Sequence, residues 1–228
     1  MSNKQNINYF KMSNLMEYIG IGCMAVSLPF FIFGNGLMWA LSCGLLPLGA
    51  VLFVVAVSIR SSEKDIYSSI KKKTESMELS VDKLGINERR IVKRRPPEII
   101  EDFEYESGIM LRKSRMGGVI TSKYTKTGLY LLTDALMVIT RTVSLIDDEV
   151  KNKKFEISYD SIEDVRLDKE ERSIIFGKNS IDTVSERLTV KYGGGYRFSC
   201  PIHVDVKAEA TVDKIKRAIE EHKKSKSI

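Results

Sequence analysis

The chain opens on a stretch in which polar periodicity disappears. Across the 42 residues 18–59 there is no Asp, Glu, Lys or Arg. As one helix this run would measure about 63 Å, about twice a ~30 Å hydrocarbon core, so it must break. Gly34-Asn35-Gly36 supplies a turn. The pattern therefore predicts two spans, 15–33 and 37–59, each long enough to cross a bilayer. In lipid the backbone must satisfy its own hydrogen bonds, so both are expected to be helices, with Pro29 and Pro47 tolerated inside them. Small residues, Gly20, Gly22, Gly44, Gly49 and Ala50, offer places for two helices to approach closely.

After residue 60 the pattern becomes polar and periodic. Ile66, Ile70, Met77, Val81 and Leu84 keep a helical stripe, and Gly85 suits a C-cap, so 61–84 reads as one helix leaving the membrane. The basic run holding Arg89, Arg90, Lys93, Arg94 and Arg95 ends at Pro96-Pro97, which stops regular structure. The expected organisation is a hairpin over 1–60, a basic helical linker over 61–98 and a soluble domain over 99–228.

From about residue 99 short β-rich runs take over. Candidate strands are 128–133, 135–141, 155–159, 162–167, 173–176, 188–192 and 196–200. Thr133-Asp134 reads as a tight turn, and Gly193-Gly194-Gly195 as a hairpin loop rather than a phosphate cradle, because no strand-to-helix transition follows it. Asp147-Asp148-Glu149 and Asp168-Lys169-Glu170-Glu171 read as charged turns. One helix closes the chain, with Thr211 as N-cap and Val212, Ile215, Ala218 and Ile219 on its apolar face.

The phrase Gly128-Leu129-Tyr130-Leu131-Leu132-Thr133-Asp134 runs into Ala135-Leu136-Met137-Val138-Ile139. Ile157-Ser158-Tyr159-Asp160-Ser161-Ile162-Glu163-Asp164-Val165 follows, then a late hairpin and a terminal helix. This order resembles a bacterial pleckstrin-homology-like domain related to the GRAM type, over roughly residues 107–223. The resemblance implies a partly open antiparallel β-barrel capped by the C-terminal amphipathic helix. It also implies a binding module, and basic residues of the first strand pair as its lipid contact. Here those are Arg112, Lys113, Arg115, Lys123 and Lys126, around Gly117-Gly118.

Charge decides the orientation. The net charge is +6, of which Lys4, Lys11 and Glu17 leave +1 before residue 60. Cations therefore flank both ends of the apolar segment while the turn carries none. The expectation is a multi-pass protein of the cell membrane with both termini cytoplasmic. A basic domain at that face would attract anionic lipid headgroups by about 1 kcal/mol per Lys or Arg. The mean hydropathy of −0.14 averages these two dissimilar parts and describes neither.

Catalytic chemistry is scarce. Cys23, Cys43 and Cys200 have no metal-like spacing, and His203 and His222 stand too far apart for a metal site. No nucleophile motif occurs. The chain is expected not to be an enzyme and to need no cofactor. Its expected partners are the membrane through two spans, anionic lipid headgroups and a protein partner, with no nucleic acid. The competing expectation is an accessory subunit of a membrane transport or secretion complex that makes its contact through the hairpin.

Overall fold

A computed structural model of the chain describes residues 3–11, 14–77, 79, 84–87, 90–91, 96–106, 108–176, 179–203 and 206–227. They form two compact units, 1–69 and 70–228.

The first unit is helical. A short α1 (Asn3–Lys11) precedes α2 (Leu15–Phe33) and α3 (Gly36–Ser58). Both long helices are long and apolar enough to cross a membrane. They turn at Gly34 and Asn35, where the amides of Met38 and Trp39 both donate to the Asn35 carbonyl, at 2.8 and 3.1 Å. α2 and α3 cross where both lack a side chain. A Cβ on Gly49 would stand 2.8 Å from the Gly20 carbonyl oxygen, and one on Gly20 would stand 2.9 Å from the Gly49 carbonyl oxygen. Gly22 and Gly44 have no such neighbour within 4 Å. At the open end Arg60 pairs with Glu17 and donates to Asn14 Oδ1 at 2.6 Å.

Sequence periodicity missed α1, whose role is local. A helix leaves its last carbonyls without partners. Gln5 Nε2 donates to the Ser58 carbonyl at 3.3 Å and Asn8 Nδ2 to the Ile59 carbonyl at 2.7 Å, so polar side chains of α1 satisfy the end of α3.

The unit boundary falls within α4 (Glu63–Glu75), which stops short of the helix expected over 61–84. The physical reason lies on the sheet that follows. Met77, Leu79, Leu84, Ile86 and Ile91 pack with Tyr130, Leu132, Ala135, Met137 and Ile139 into a core of their own. Met77 and Leu84 of the stripe assigned to a linker helix are therefore spent on a sheet face, while Ile66 and Ile70 lie in α4. The expected Val81 position lies outside the described residues.

The second unit holds three antiparallel sheets. β1 (Glu98–Phe103), β4 (Lys123–Leu131), β5 (Ala135–Ser144) and β6 (Val150–Ser158) form the first, in that order. β2 (Leu111–Lys113) and β3 (Val119–Thr121) form a small ribbon. β7 (Ile162–Phe176), β8 (Asn179–Tyr192) and β9 (Tyr196–Ile202) form the third. The chain ends in α5 (Val206–Lys226). Among the described residues no strand ladder joins the two larger sheets into a closed barrel.

The run from Gly128 to Leu132 does not alternate because both faces of β4 are covered. Leu129 and Leu131 enter the main core with Leu136, Val138 and Ile157, while Tyr130 and Leu132 enter the second one. The main core is closed by Leu188, Val190, Phe198 and Ile202 of the third sheet and by Ala208, Val212, Ile215, Ala218 and Ile219 of α5. The Thr133-Asp134 turn forms, with the Leu132 amide donating to the Ala135 carbonyl at 2.9 Å. The three-glycine loop takes φ of 59°, 74° and 126°, a region costly to any residue with a Cβ.

Two expectations are corrected. Residues 162–167 and 173–176 belong to one strand, β7, and the charged run between them is strand rather than turn. Thr211 is not the N-cap of α5, which begins at Val206; its Oγ1 donates back to the Lys207 carbonyl at 2.9 Å from inside the helix.

Candidate functional site

One face of the first sheet changes character along its length. At one end Leu129, Leu131, Leu136, Val138 and Ile157 lie in the core. At the other, β4 contributes Thr125 and Thr127, β5 contributes Thr140 and Thr142, and β6 contributes Lys151 and Lys153. Directly paired residues share a face, and the register pairs Thr125 with Thr142, Thr127 with Thr140, Thr140 with Lys153 and Thr142 with Lys151. The polar end opens into a cleft of about 480 Å³, within the range of small-molecule sites.

Its floor is a hydrogen-bonded chain. Glu104 is 6% exposed and receives Arg187 Nη1 on Oε2 at 2.8 Å and the Thr125 hydroxyl on Oε1 at 2.8 Å. Thr125 and Thr142 hydroxyls stand 2.8 Å apart. Thr125 has one proton and gives it to Glu104, so Thr142 is the donor of that second bond. Thr140 lines the cleft at 7% exposure and makes no hydrogen bond with any described group.

The rim is cationic. Lys123 faces Glu106 at 3.8 Å and Lys151 faces Glu149 at 2.9 Å, a hydrogen bond that raises the lysine pKa. Arg197 reaches Asp168 at 2.7 Å. Burial pulls the Asp168 carboxyl up, but hydrogen bonds from Thr189 and Arg166 outweigh it and hold its pKa below the ordinary value. Lys153, the exposed cross-strand partner of Thr140, has no carboxylate partner among the described residues. Counting Lys123, Lys151, Lys153, Arg187 and Arg197 against Glu104 and Glu106, the lining carries a formal +3.

The remaining wall is apolar. Phe155 packs edge-on against Phe198 with ring centroids 5.5 Å apart, Tyr192 stacks on Tyr196 at 6.0 Å, and Cys200 lies beneath. Burial pushes the Cys200 thiol up to about 12, so at neutral pH it is no nucleophile. The described residues contain no cluster of three metal-ligating side chains.

The structure distributes the sequence-predicted site residues. Arg112 and Lys113 are on β2 and Arg115 is in the turn to β3, beside Met116, which is 91% exposed. Lys123 lines the cleft. Lys126 stands one residue out of phase with Thr125 and Thr127, so it lies on the opposite face, 3.6 Å from Glu101 of β1. Arg90 is engaged with Glu156 at 2.8 Å and Asp134 at 3.0 Å, and these bonds raise its pKa. Arg89, Lys93, Arg94 and Arg95 lie outside the described residues. Sequence reading missed Glu104, Thr125, Thr140, Thr142, Lys151, Lys153, Arg187 and Arg197. The usable signal was the period-two recurrence of Thr on β4 and β5 and of Lys on β6, which gains meaning only once the register is known.

Comparison of the chain with protein-family models, with curated proteins and with solved structures finds no match.

Proposed function

We propose that this chain is a membrane-anchored interaction module. α2 and α3 span the bilayer, both ends face the cytoplasm, and the β-rich unit, of pleckstrin-homology-like type, binds anionic lipid headgroups or a protein partner without catalysis. One observation carries the reading. Between Leu15 and Val57 twenty large apolar side chains are exposed, a surface that water does not tolerate and lipid does. Orientation is supported by Lys4 and Lys11 before the spans and by Arg60 and Lys64 after them. The domain assignment is supported by two antiparallel sheets whose shared core is closed by a terminal amphipathic helix. A binding role is supported by a cleft of about 480 Å³ with a cationic rim and an aromatic wall.

Alkaline carbonate extraction of native membranes tests the anchor, and the chain is expected in the pellet. A reporter fused to the C-terminus is expected to be active on the cytoplasmic side only. Release by carbonate, or an exported reporter, would overturn the reading.

The accessory-subunit alternative has its own observation. Gly20 and Gly49 are used within the hairpin, whereas Gly22 and Gly44 have open space where a side chain would stand. If another helix docks there, Gly22→Leu with Gly44→Leu breaks co-purification of that complex and leaves the β-rich unit folded. Unchanged co-purification removes this alternative.

A further inference from the structure

The cleft does not use its floor and rim evenly. The chain Thr142, Thr125, Glu104 and Arg187 is internally complete: every proton it carries toward the floor has an acceptor. The rung beside it is not. Thr140 and Lys153 face one another across β5 and β6, point to the same side of the sheet, and neither has a described partner. The Thr140 hydroxyl is not sealed from the cleft, so a ligand oxygen can reach it. One rung away stands Lys151, on the same face two residues along β6, so its backbone lies about 7 Å from that of Lys153. One ammonium without a carboxylate partner and one hydroxyl thus border the same stretch of the cleft, and Lys151, held at the surface by Glu149, stands beside them.

We infer that this cleft binds a phosphate ester, with the phosphate at the Thr140–Lys153 rung beside Lys151 and the organic group against Phe155 and Phe198. A carboxylate has two oxygens and one charge, which Lys153 and Thr140 would consume between them. A phosphate has oxygens in three directions and up to two charges, so it also reaches the second lysine. Lysine serves as a point charge here and requires no fixed planar geometry of the anion. The apolar wall makes a bare ion a poor filling for about 480 Å³, because the aromatic surface would stay wetted. An ester places its charged end on the rung and its organic body on the rings. The proposal rests on the binding role given above and not on the anchor. Carbonate extraction can fail while the cleft still binds, and the reverse is equally readable.

The test uses the full chain in phosphatidylcholine nanodiscs, with binding of phenyl phosphate, inorganic phosphate and phenol measured by titration calorimetry. Phenyl phosphate is expected to bind more tightly than inorganic phosphate, and phenol not to bind. Thr140→Val keeps the shape and removes the hydroxyl, while Lys153→Gln removes the exposed charge. Each is expected to weaken phenyl phosphate by about tenfold. Lys126→Gln, on the opposite sheet face, is expected to leave the affinity unchanged. Thermal unfolding of each variant confirms that the fold persists. Competition by soluble short-chain phosphatidylglycerol would assign the natural anion to a lipid headgroup, and its failure to compete would assign a free phosphate ester. Absence of phenyl phosphate binding, or equal affinity in wild type, Thr140→Val and Lys153→Gln, would overturn the proposal.

Discussion

Asp102, on β1, keeps a carboxyl where burial disfavours its charge. Burial raises its pKa above 3.8, against the opposing hydrogen bond from the Phe103 amide at 2.7 Å and the attraction of His203 at 4.0 Å. The folded state then holds the proton more tightly than the unfolded chain. The contribution of this group to stability is complete below 3.8 and is lost as pH rises through the folded value. Asp102→Asn keeps the acceptor for the Phe103 amide and removes the charge. It is expected to be more stable than wild type at neutral pH, with the gain vanishing as pH falls below 3.8. Thermal unfolding over a pH series reads this directly, and a gain independent of pH would contradict it. Two residues on, Glu104 is buried too, but it has an ion-pair partner in Arg187 at 2.8 Å. Arg187→Met strands that carboxylate and should cost about 3–5 kcal/mol, whereas Glu104→Gln with Arg187→Met should recover most of the loss. Denaturant unfolding of the single and double variants separates the two. In sequence Asp102 and Glu104 look like ordinary surface acids, for their burial is decided by strands that arrive about eighty residues later, on the order of a long-range contact.

At the scale of elements, local patterns were legible where local forces act. The two apolar helices, the β4–β5 turn and the β8–β9 glycine loop were all readable, since each follows from neighbours in sequence. Elements decided by partners were not. β7 was divided because its middle is charged, yet a strand that pairs only with β8 along that stretch can expose charge on both sides. Lys169 meets Glu186 at 2.7 Å across the ladder, which favours pairing without any apolar alternation to read. Likewise α4 ends early because the outer face of the first sheet claims Met77 and Leu79. Of the candidate site, the strands that carry it were mostly legible, but the cleft needed the register. The hairpin offers the test at this scale. Gly49→Ala puts a methyl group 2.8 Å from the Gly20 carbonyl oxygen and 2.9 Å from Cys23 Cβ. Backbone cannot yield as a side chain does, so α2 and α3 must separate, at a cost of about 1–3 kcal/mol. Gly44→Ala meets nothing and should be neutral or slightly stabilising through helix propensity. Unfolding in mixed micelles is expected to show that difference, and equal behaviour would mean that the helices do not cross there.

For the molecule as a whole, the two units differ in what their surfaces ask of the solvent. Residues 70–228 have a main core closed by sheet and helix and a second core on the outer sheet face. Their exposed large apolar side chains are scattered, at Ile99, Met116, Val150, Val184 and Tyr196, a distribution ordinary for water-facing proteins. The segment from Leu15 to Val57 is the reverse, with Ser27, Ser42, Gly20 and Gly49 buried and most of its leucines, valines and phenylalanines outside. Inverted burial of this kind follows when the helix contact is made by small residues and the surroundings are hydrocarbon. It also separates the folding requirements. The second unit draws its stability from its own cores and should fold without lipid, whereas the first should not. A chain comprising residues 70–228 is therefore expected to remain dispersed in detergent-free buffer and to give the circular dichroism of mixed strand and helix with cooperative unfolding. The full chain in the same buffer is expected to sediment. Aggregation of the shorter chain would show that its cores are incomplete without residues 1–69, and a dispersed full chain would show that the exposed apolar helices find cover without a bilayer.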